Sequence, residues 1–217
     1  MKKKFGFYVS RTATRLCHFL EKYGNLDKCA FVLIDNKDNE RLRSLCSKYS
    51  IPYYEYAYKE EGLKGKEQNR FISDKFKDLM DNYEVEYSFI FGSRILEGEL
   101  LQKYQWHLVN FHPALLPAFK GKCAIDQAIE AGAILLGSTA HFIDEELDAG
   151  LMIMQNIFPA VHFTDYEDVL GKQETMLLQL MTWFEQDRVH IENNRVVVTN
   201  ASYEIAEYIP NVELTNV

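Results

Sequence analysis

Two stretches decide the fold: Phe5-Gly6-Phe7-Tyr8-Val9-Ser10 and Ala30-Phe31-Val32-Leu33-Ile34. Both are nearly continuous apolar runs rather than alternating ones. A strand of that kind is buried on both faces, which implies a parallel sheet covered by helices. Between them, Ala13–Tyr23 carries Leu16, Cys17 and Leu20 at helical spacing and is stopped by Gly24. The same unit recurs downstream. Glu40–Tyr49 presents Leu42, Leu45 and Cys46 on one helical face, and Pro52–Tyr54 reads as a third strand. Gln68–Tyr83 is a second amphipathic helix (Phe71, Ile72, Phe76, Leu79, Met80), and Tyr87–Phe91 is a fourth strand ended by Gly92. This order predicts an α/β fold: a doubly wound, mostly parallel Rossmann-like sheet with helices on both faces. Ligands of such sheets bind at the carboxyl ends of the strands. Functional residues are therefore expected just after Phe7–Ser10, Phe91 and Val109.

The rest of the chain adds a strand at Trp106–Phe111, a loop over Pro113–Lys122 and a helix at Cys123–Ala131. Strands at Leu135–Phe142 and Leu151–Phe158 flank the acidic loop Asp144-Glu145-Glu146-Leu147-Asp148-Ala149-Gly150. Thr164 with Glu167 reads as a capping box before a helix to about Phe184. Val189–Ile191 and Val196–Val198 read as a short C-terminal hairpin. No linker interrupts the pattern, so a single domain is expected over 1–217: a βα half 1–104, a second half 105–200 and a tail 201–217.

Composition narrows the function classes. With 24 basic and 32 acidic residues the net charge is −8. That excludes the basic field on which general nucleic-acid or membrane-surface binding depends. There is no apolar run long enough to span a bilayer. The four cysteines, Cys17, Cys29, Cys46 and Cys123, contain no CxxC pair, and no export signal precedes them. They are expected to be reduced, mostly buried thiols of a cytoplasmic protein.

Four segments carry chemistry. Asn110-Phe111-His112-Pro113 lies at a strand end, where residues i and i+2 point the same way, so Asn110 and His112 face one point together. Pro113 keeps His112 extended. In the acidic loop, Leu147 is expected to anchor the chain while Asp148 projects into a cleft as a proton-transfer group. A solvated turn is the plainer reading of the same charges. The turn Ser10-Arg11-Thr12-Ala13-Thr14-Arg15 suits an anion at a helix start, or else Thr12 caps that helix. Ser93-Arg94-Ile95-Leu96 combines one arginine with apolar walls, which fits a flat heteroaromatic ligand. His18, His107, His162 and His190 are read as structural, and no metal-spaced motif such as HExxH is present, so no metal is expected.

Taken together, Ser93-Arg94-Ile95-Leu96, the run Asn110-Phe111-His112-Pro113-Ala114-Leu115-Leu116-Pro117, and Gly137-Ser138-Thr139-Ala140-His141-Phe142 continuing through Glu146-Leu147-Asp148-Ala149-Gly150 resemble the folate-dependent formyltransferase family. The likeness runs over nearly the whole chain. It implies N10-formyltetrahydrofolate as co-substrate and Asn110, His112 and Asp148 as the catalytic set. It implies folate contacts from Arg94, Ile95, Leu96, His141, Phe142 and Asp144. It implies acceptor contacts from Arg11, Thr12, Ala13, Thr14, Pro113 and Glu174. The acceptor is then a small-molecule primary amine, foremost phosphoribosylglycinamide, in a monomer or homodimer. Hydrolysis of the formyl donor and formylation of an amino sugar share the same core motifs. A non-catalytic folate-binding regulator is the reading from another class. One departure stands out: the family's phosphate-binding loop is glycine-rich, whereas Arg11–Arg15 contains no glycine.

Overall fold

The two apolar runs form β1 (Phe5–Val9) and β2 (Cys29–Ile34), and every residue of both is buried. They pair in parallel, and β1 pairs in parallel with β4 (Ser88–Phe91) on its other side. β3 (Tyr53–Glu55) extends the sheet beyond β2, again in parallel. Burial on both faces and parallel pairing thus occur together, as the apolar runs require. The computed structural model describes residues 3–25, 27–58 and 61–214; the final three residues of the expected tail lie outside them. The described chain forms two compact units, Met1–Val109 and Asn110–Val217.

In the first unit the strand order is β4-β1-β2-β3. Its helices are α1 (Thr14–Tyr23), α2 (Glu40–Lys48), α3 (Lys66–Asn82) and the five-residue α4 (Glu99–Lys103). α4 is too short for helical periodicity to announce it. Phe31 and Tyr8 both pack on Phe76 of α3, at ring separations of 5.6 and 6.0 Å. Asn39 caps α2 by accepting from the Leu42 amide at 3.0 Å. α1 starts differently from the sequence reading. Thr12 is not its cap: Ala13 is, in the left-handed region (φ 50) with no side-chain cap bond, and the Thr12 hydroxyl pairs with that of Thr14. The chain reverses so tightly after Ser10 that both Arg11 and Ala13 take positive φ.

In the second unit, β6 (Leu135–Phe142) and β7 (Met152–Pro159) pair antiparallel, and β10 (Tyr208–Ile209) pairs antiparallel with β7. β5 (Leu108–His112) ends in the motif Asn110–His112. It begins two residues later than the sequence suggested, because Trp106 sits in a left-handed turn (φ 62). α5 (Ala124–Glu130) and the long α6 (Tyr166–Glu185) supply Ile125, Ala128 and Val169 to a core shared with Leu136 and Phe158. The cap of α6 is Asp165, not Thr164; Asp168 accepts from the Thr164 and Asp165 amides and closes the box. Aspartate outranks threonine as an N-cap. β8 (Val189–Glu192) and β9 (Arg195–Val198) form the expected terminal hairpin, turned by Asn193 and Asn194 at φ 50 and 60. Asparagine tolerates that region, which the tight turns of hairpins demand.

Two features of the second unit set up its site. The β6–β7 register shifts between Ala140 and His141, placing Ile153 as the extra residue. Such a bulge re-aims the side chains beyond it. At the far end of the loop, a Cβ on Gly150 would lie 1.8 Å from the Phe142 carbonyl oxygen, so only glycine permits the closure there. Cys17, Cys29 and Cys46 are buried free thiols, as expected, whereas Cys123 is exposed. Among the described residues no helix is long and apolar enough to cross a membrane.

Candidate functional site

β5 delivers Asn110 and His112 to the same side, two residues apart, while Phe111 between them turns into the core at 3% exposure. The chain beyond them is held by polar groups of β6 and β7. The Thr139 hydroxyl donates to the Ala114 carbonyl at 2.7 Å and accepts from the Leu116 amide at 3.0 Å. The Gln155 amide donates to that hydroxyl at 2.8 Å and to the Leu116 carbonyl at 3.0 Å. A hydroxyl has one proton and two lone pairs, so Thr139 is saturated. Thr139 and Gln155 stand opposite each other in the β6–β7 register. Neither was expected from the sequence. The signal was available for Thr139, which shares a strand face with His141 two residues on.

Asp148 sits between two histidines. Its Oδ2 accepts from the Gly121 amide at 2.9 Å and lies 3.4 Å from His112 Nδ1, while its Oδ1 lies 3.7 Å from His141 Nε2. All three side chains are at most 6% exposed. Asp148 has φ 51, a left-handed conformation that carries strain of about 1–3 kcal/mol in a non-glycine residue, less for aspartate than for most. The expected role of Leu147 is corrected here. It is 57% exposed and anchors nothing; the loop is tethered by Asp148 itself and by the close approach at Gly150.

Hydrogen-bond chemistry assigns the protons. His112 Nε2 lies 2.8 Å from the Phe119 carbonyl, which can only accept, so Nε2 carries a hydrogen. His112 Nδ1 faces the Asp148 carboxyl at 3.4 Å, close enough for a proton to pass between the two groups. His141 differs. Its Nδ1 donates to the Phe142 carbonyl at 2.9 Å, and its Nε2 accepts from the Asn110 amide nitrogen at 3.3 Å. Burial pushes the His141 pKa down. The Phe142 bond and the Asp148 charge push it back up in part, and His112 and Lys120 add to the lowering. His141 is thus a neutral imidazole that orients Asn110. The assembly offers an amide donor at Asn110 and, at His112 and Asp148, two groups between which a proton can pass.

The other residues expected at the site are placed as follows. Phe142 is buried against Phe184 at 6.3 Å and contributes its carbonyl, not its ring, to the cluster. Pro113 is half-buried beside His112. Asp144 is exposed and caps its own loop through the Glu145 amide. Glu174 is buried on α6, at 5% exposure. Among the described residues no group of three or more histidine, cysteine or acidic side chains is arranged to hold a metal ion.

In the first unit, Arg94 lies over the Tyr58 ring at 5.1 Å and donates to Gln68 at 2.7 Å. Ile95 beside it is 55% exposed, whereas Leu96 is buried. Arg94 lines a cleft of about 370 Å³ together with Arg11, Asp35, Asn36, Tyr58 and Ser93. Arg11, Thr12 and Thr14 line a second cleft of about 410 Å³ with Asn36 and Asn39. The Ala13 amide is spent on the Ser10 carbonyl at 3.1 Å, so this turn offers an anion fewer free amides than a glycine-rich loop does.

Comparison with known proteins follows the same lines. Residues 3–179 match the family described as formyl transferase. The formyltetrahydrofolate deformylase of Haemophilus influenzae is 31% identical over 203 residues, covering 91% of this chain and 70% of that protein. The phosphoribosylglycinamide formyltransferase of the same organism is 30% identical over 128 residues, covering 57% of this chain and 60% of that protein. Among solved structures, the phosphoribosylglycinamide formyltransferase of Anaplasma phagocytophilum superposes with a TM-score of 0.78 at 23% identity, covering 92% of this chain and 96% of that one. That likeness is one of fold: a mostly parallel sheet with helices, as the first sequence runs required.

Proposed function

This chain belongs to the formyl transferase family, whose members are folate-dependent enzymes, and from that premise we propose that it moves the formyl group of N10-formyltetrahydrofolate onto a small nucleophile. The observation that carries the proposal is the cluster of Asn110, His112, His141 and Asp148. When a nucleophile adds to a formyl carbon, the carbonyl oxygen gains negative charge and the nucleophile must lose a proton. Asn110, oriented by neutral His141, donates to the developing oxyanion; one such donor is worth about 3–4 kcal/mol. His112 and Asp148 relay the proton from the attacking group to the departing nitrogen. His112 reaches that role by releasing its bond to the Phe119 carbonyl, which holds Nε2 in this structure. Formyl transfer from N10-formyltetrahydrofolate requires neither a covalent intermediate on the chain nor a metal.

Folate recognition is assigned to Arg94, Ile95 and Leu96, with the loop from His141 to Asp148. An exposed Ile95 next to an arginine already stacked on Tyr58 fits a flat, hydrogen-bonding heteroaromatic ring. For the acceptor, the first reading is a primary amine, phosphoribosylglycinamide, held by Arg11, Thr12, Thr14 and Glu174 in purine biosynthesis. The second reading is water. It is supported by the similarity to a deformylase over 91% of the chain and by the spent amide at Ala13.

Absorbance of N10-formyltetrahydrofolate, followed with the purified protein, tests both. Loss of the formyl group only with phosphoribosylglycinamide present establishes the amine acceptor. Loss without any amine establishes hydrolysis. A stable formyl donor under both conditions, and with an amino-sugar nucleotide added, contradicts the proposal.

A further inference from the structure

The first unit holds a buried carboxylate of its own, Asp35. It closes β2 at 4% exposure. Two hydroxyls donate to the same oxygen, Oδ2: that of Tyr8 at 2.7 Å and that of Ser10 at 2.7 Å. Each hydroxyl, with its only proton committed to Asp35, keeps lone pairs free to accept. The Ser93 amide donates to Ser10 Oγ at 2.7 Å, and the Arg94 amide donates to Tyr8 Oη at 3.3 Å. The direction of the relay is therefore set by chemistry: amide to hydroxyl to carboxylate, twice in parallel. Burial, and then the Asp35 charge, push the Tyr8 pKa well above its ordinary value, so this hydroxyl stays a donor. Gly92 makes the approach possible, since a Cβ there would fall 2.0 Å from the Tyr8 ring.

The two amides so held open the segment Ser93–Leu96. We propose that Asp35 is a positioning residue for folate recognition. Through Tyr8 and Ser10 it fixes the backbone from which Arg94, Ile95 and Leu96 meet the co-substrate. The proposal rests on the folate-binding role given to that segment above. It extends the site to the ends of β1 and β2, with Ser10 and Tyr8 lying 25 and 27 positions from Asp35 in sequence. A carboxylate suits the place because it accepts both hydroxyl protons without bringing a proton of its own that would need an acceptor.

Steady-state kinetics and tetrahydrofolate binding in Ser10→Ala, Ser10→Thr and Tyr8→Phe test it. Removing the Ser10 hydroxyl deletes the acceptor that holds the Ser93 amide, and the KM for N10-formyltetrahydrofolate and Kd for tetrahydrofolate rise about tenfold. Its kcat stays within about twofold, because no group in contact with the reacting atoms has changed. Ser10→Thr restores both constants, and Tyr8→Phe gives a smaller rise, in keeping with its longer bond to Arg94. An unchanged KM in Ser10→Ala, while the wild type binds tetrahydrofolate and turns over, overturns the proposal and leaves the functional reading standing. Parallel losses of kcat and thermal stability in both Ser10 variants also overturn it, in favour of a purely structural Asp35. A wild type that neither binds tetrahydrofolate nor releases formyl overturns the functional reading itself, and the positioning role falls with it.

Discussion

Asp35 and Asp148 are both buried carboxylates at the ends of strands, yet their surroundings differ in kind. Asp35 is met by two hydroxyls whose protons stay in place under all ordinary conditions. Asp148 is met by two imidazoles and one backbone amide. Burial alone therefore does not mark a proton-transfer group. The partner decides: hydroxyl donors turn a carboxylate into scaffolding, whereas a histidine at 3.4 Å gives its proton somewhere to go. In the proposed reading the first unit uses its acid to hold a backbone, and the second uses its acid to move charge.

The contrast can be broken by substitution. Asp148→Asn keeps the shape and the Gly121 contact but cannot exchange a proton with His112. Turnover should fall by about 10²–10⁴ with the circular dichroism spectrum unchanged. Asp35→Leu should act in the other way, unpairing both hydroxyls and lowering stability by about 2–3 kcal/mol in urea unfolding. Thr139→Val sharpens the account of the second unit. It deletes a hydroxyl that makes two bonds to the loop after Pro113 and one to Gln155 of β7, and we expect about a tenfold loss of kcat with KM little changed.

The smallest expected effect concerns pH. His141 in the folded chain resists protonation, because its burial lowers its pKa below the ordinary 6.5. The unfolded chain takes up that proton first as pH falls. Stability therefore declines as pH drops below about 6.5 and levels off once the folded pKa has been passed. His141→Gln, which still accepts from Asn110, should flatten the melting temperature between about pH 7 and pH 5. A variant as pH-sensitive as the wild type would remove His141 from this role.

Much of this was legible in the sequence, for identifiable reasons. Continuous apolar runs gave β1 and β2, and Pro113 after His112 kept that residue extended at the exit of β5. What stayed hidden depends on groups brought together from afar. Asp35 acquires its meaning from Tyr8 and Ser10 on a neighbouring strand, and periodicity does not report strand order. Thr139 and Gln155 are partners only through the β6–β7 register. Hydrophobicity does not report the loop's anchor: Leu147 is exposed and the tether runs through Asp148 to the Gly121 amide. Of the two readings of the Ser10–Arg15 turn, a Thr12 cap falls away because Ala13 takes the cap position in a conformation that residue preferences assign to glycine.

The most direct test places one variant from each unit side by side. Single-turnover and steady-state release of formyl from N10-formyltetrahydrofolate would be measured for wild type, Asp148→Asn and Ser10→Ala. The account predicts a loss of about 10³ in the rate constant for Asp148→Asn at saturating folate. For Ser10→Ala it predicts a rate constant within about twofold of wild type and a KM about tenfold higher. Wild-type release by Asp148→Asn would contradict it, as would equal losses of rate constant in the two variants.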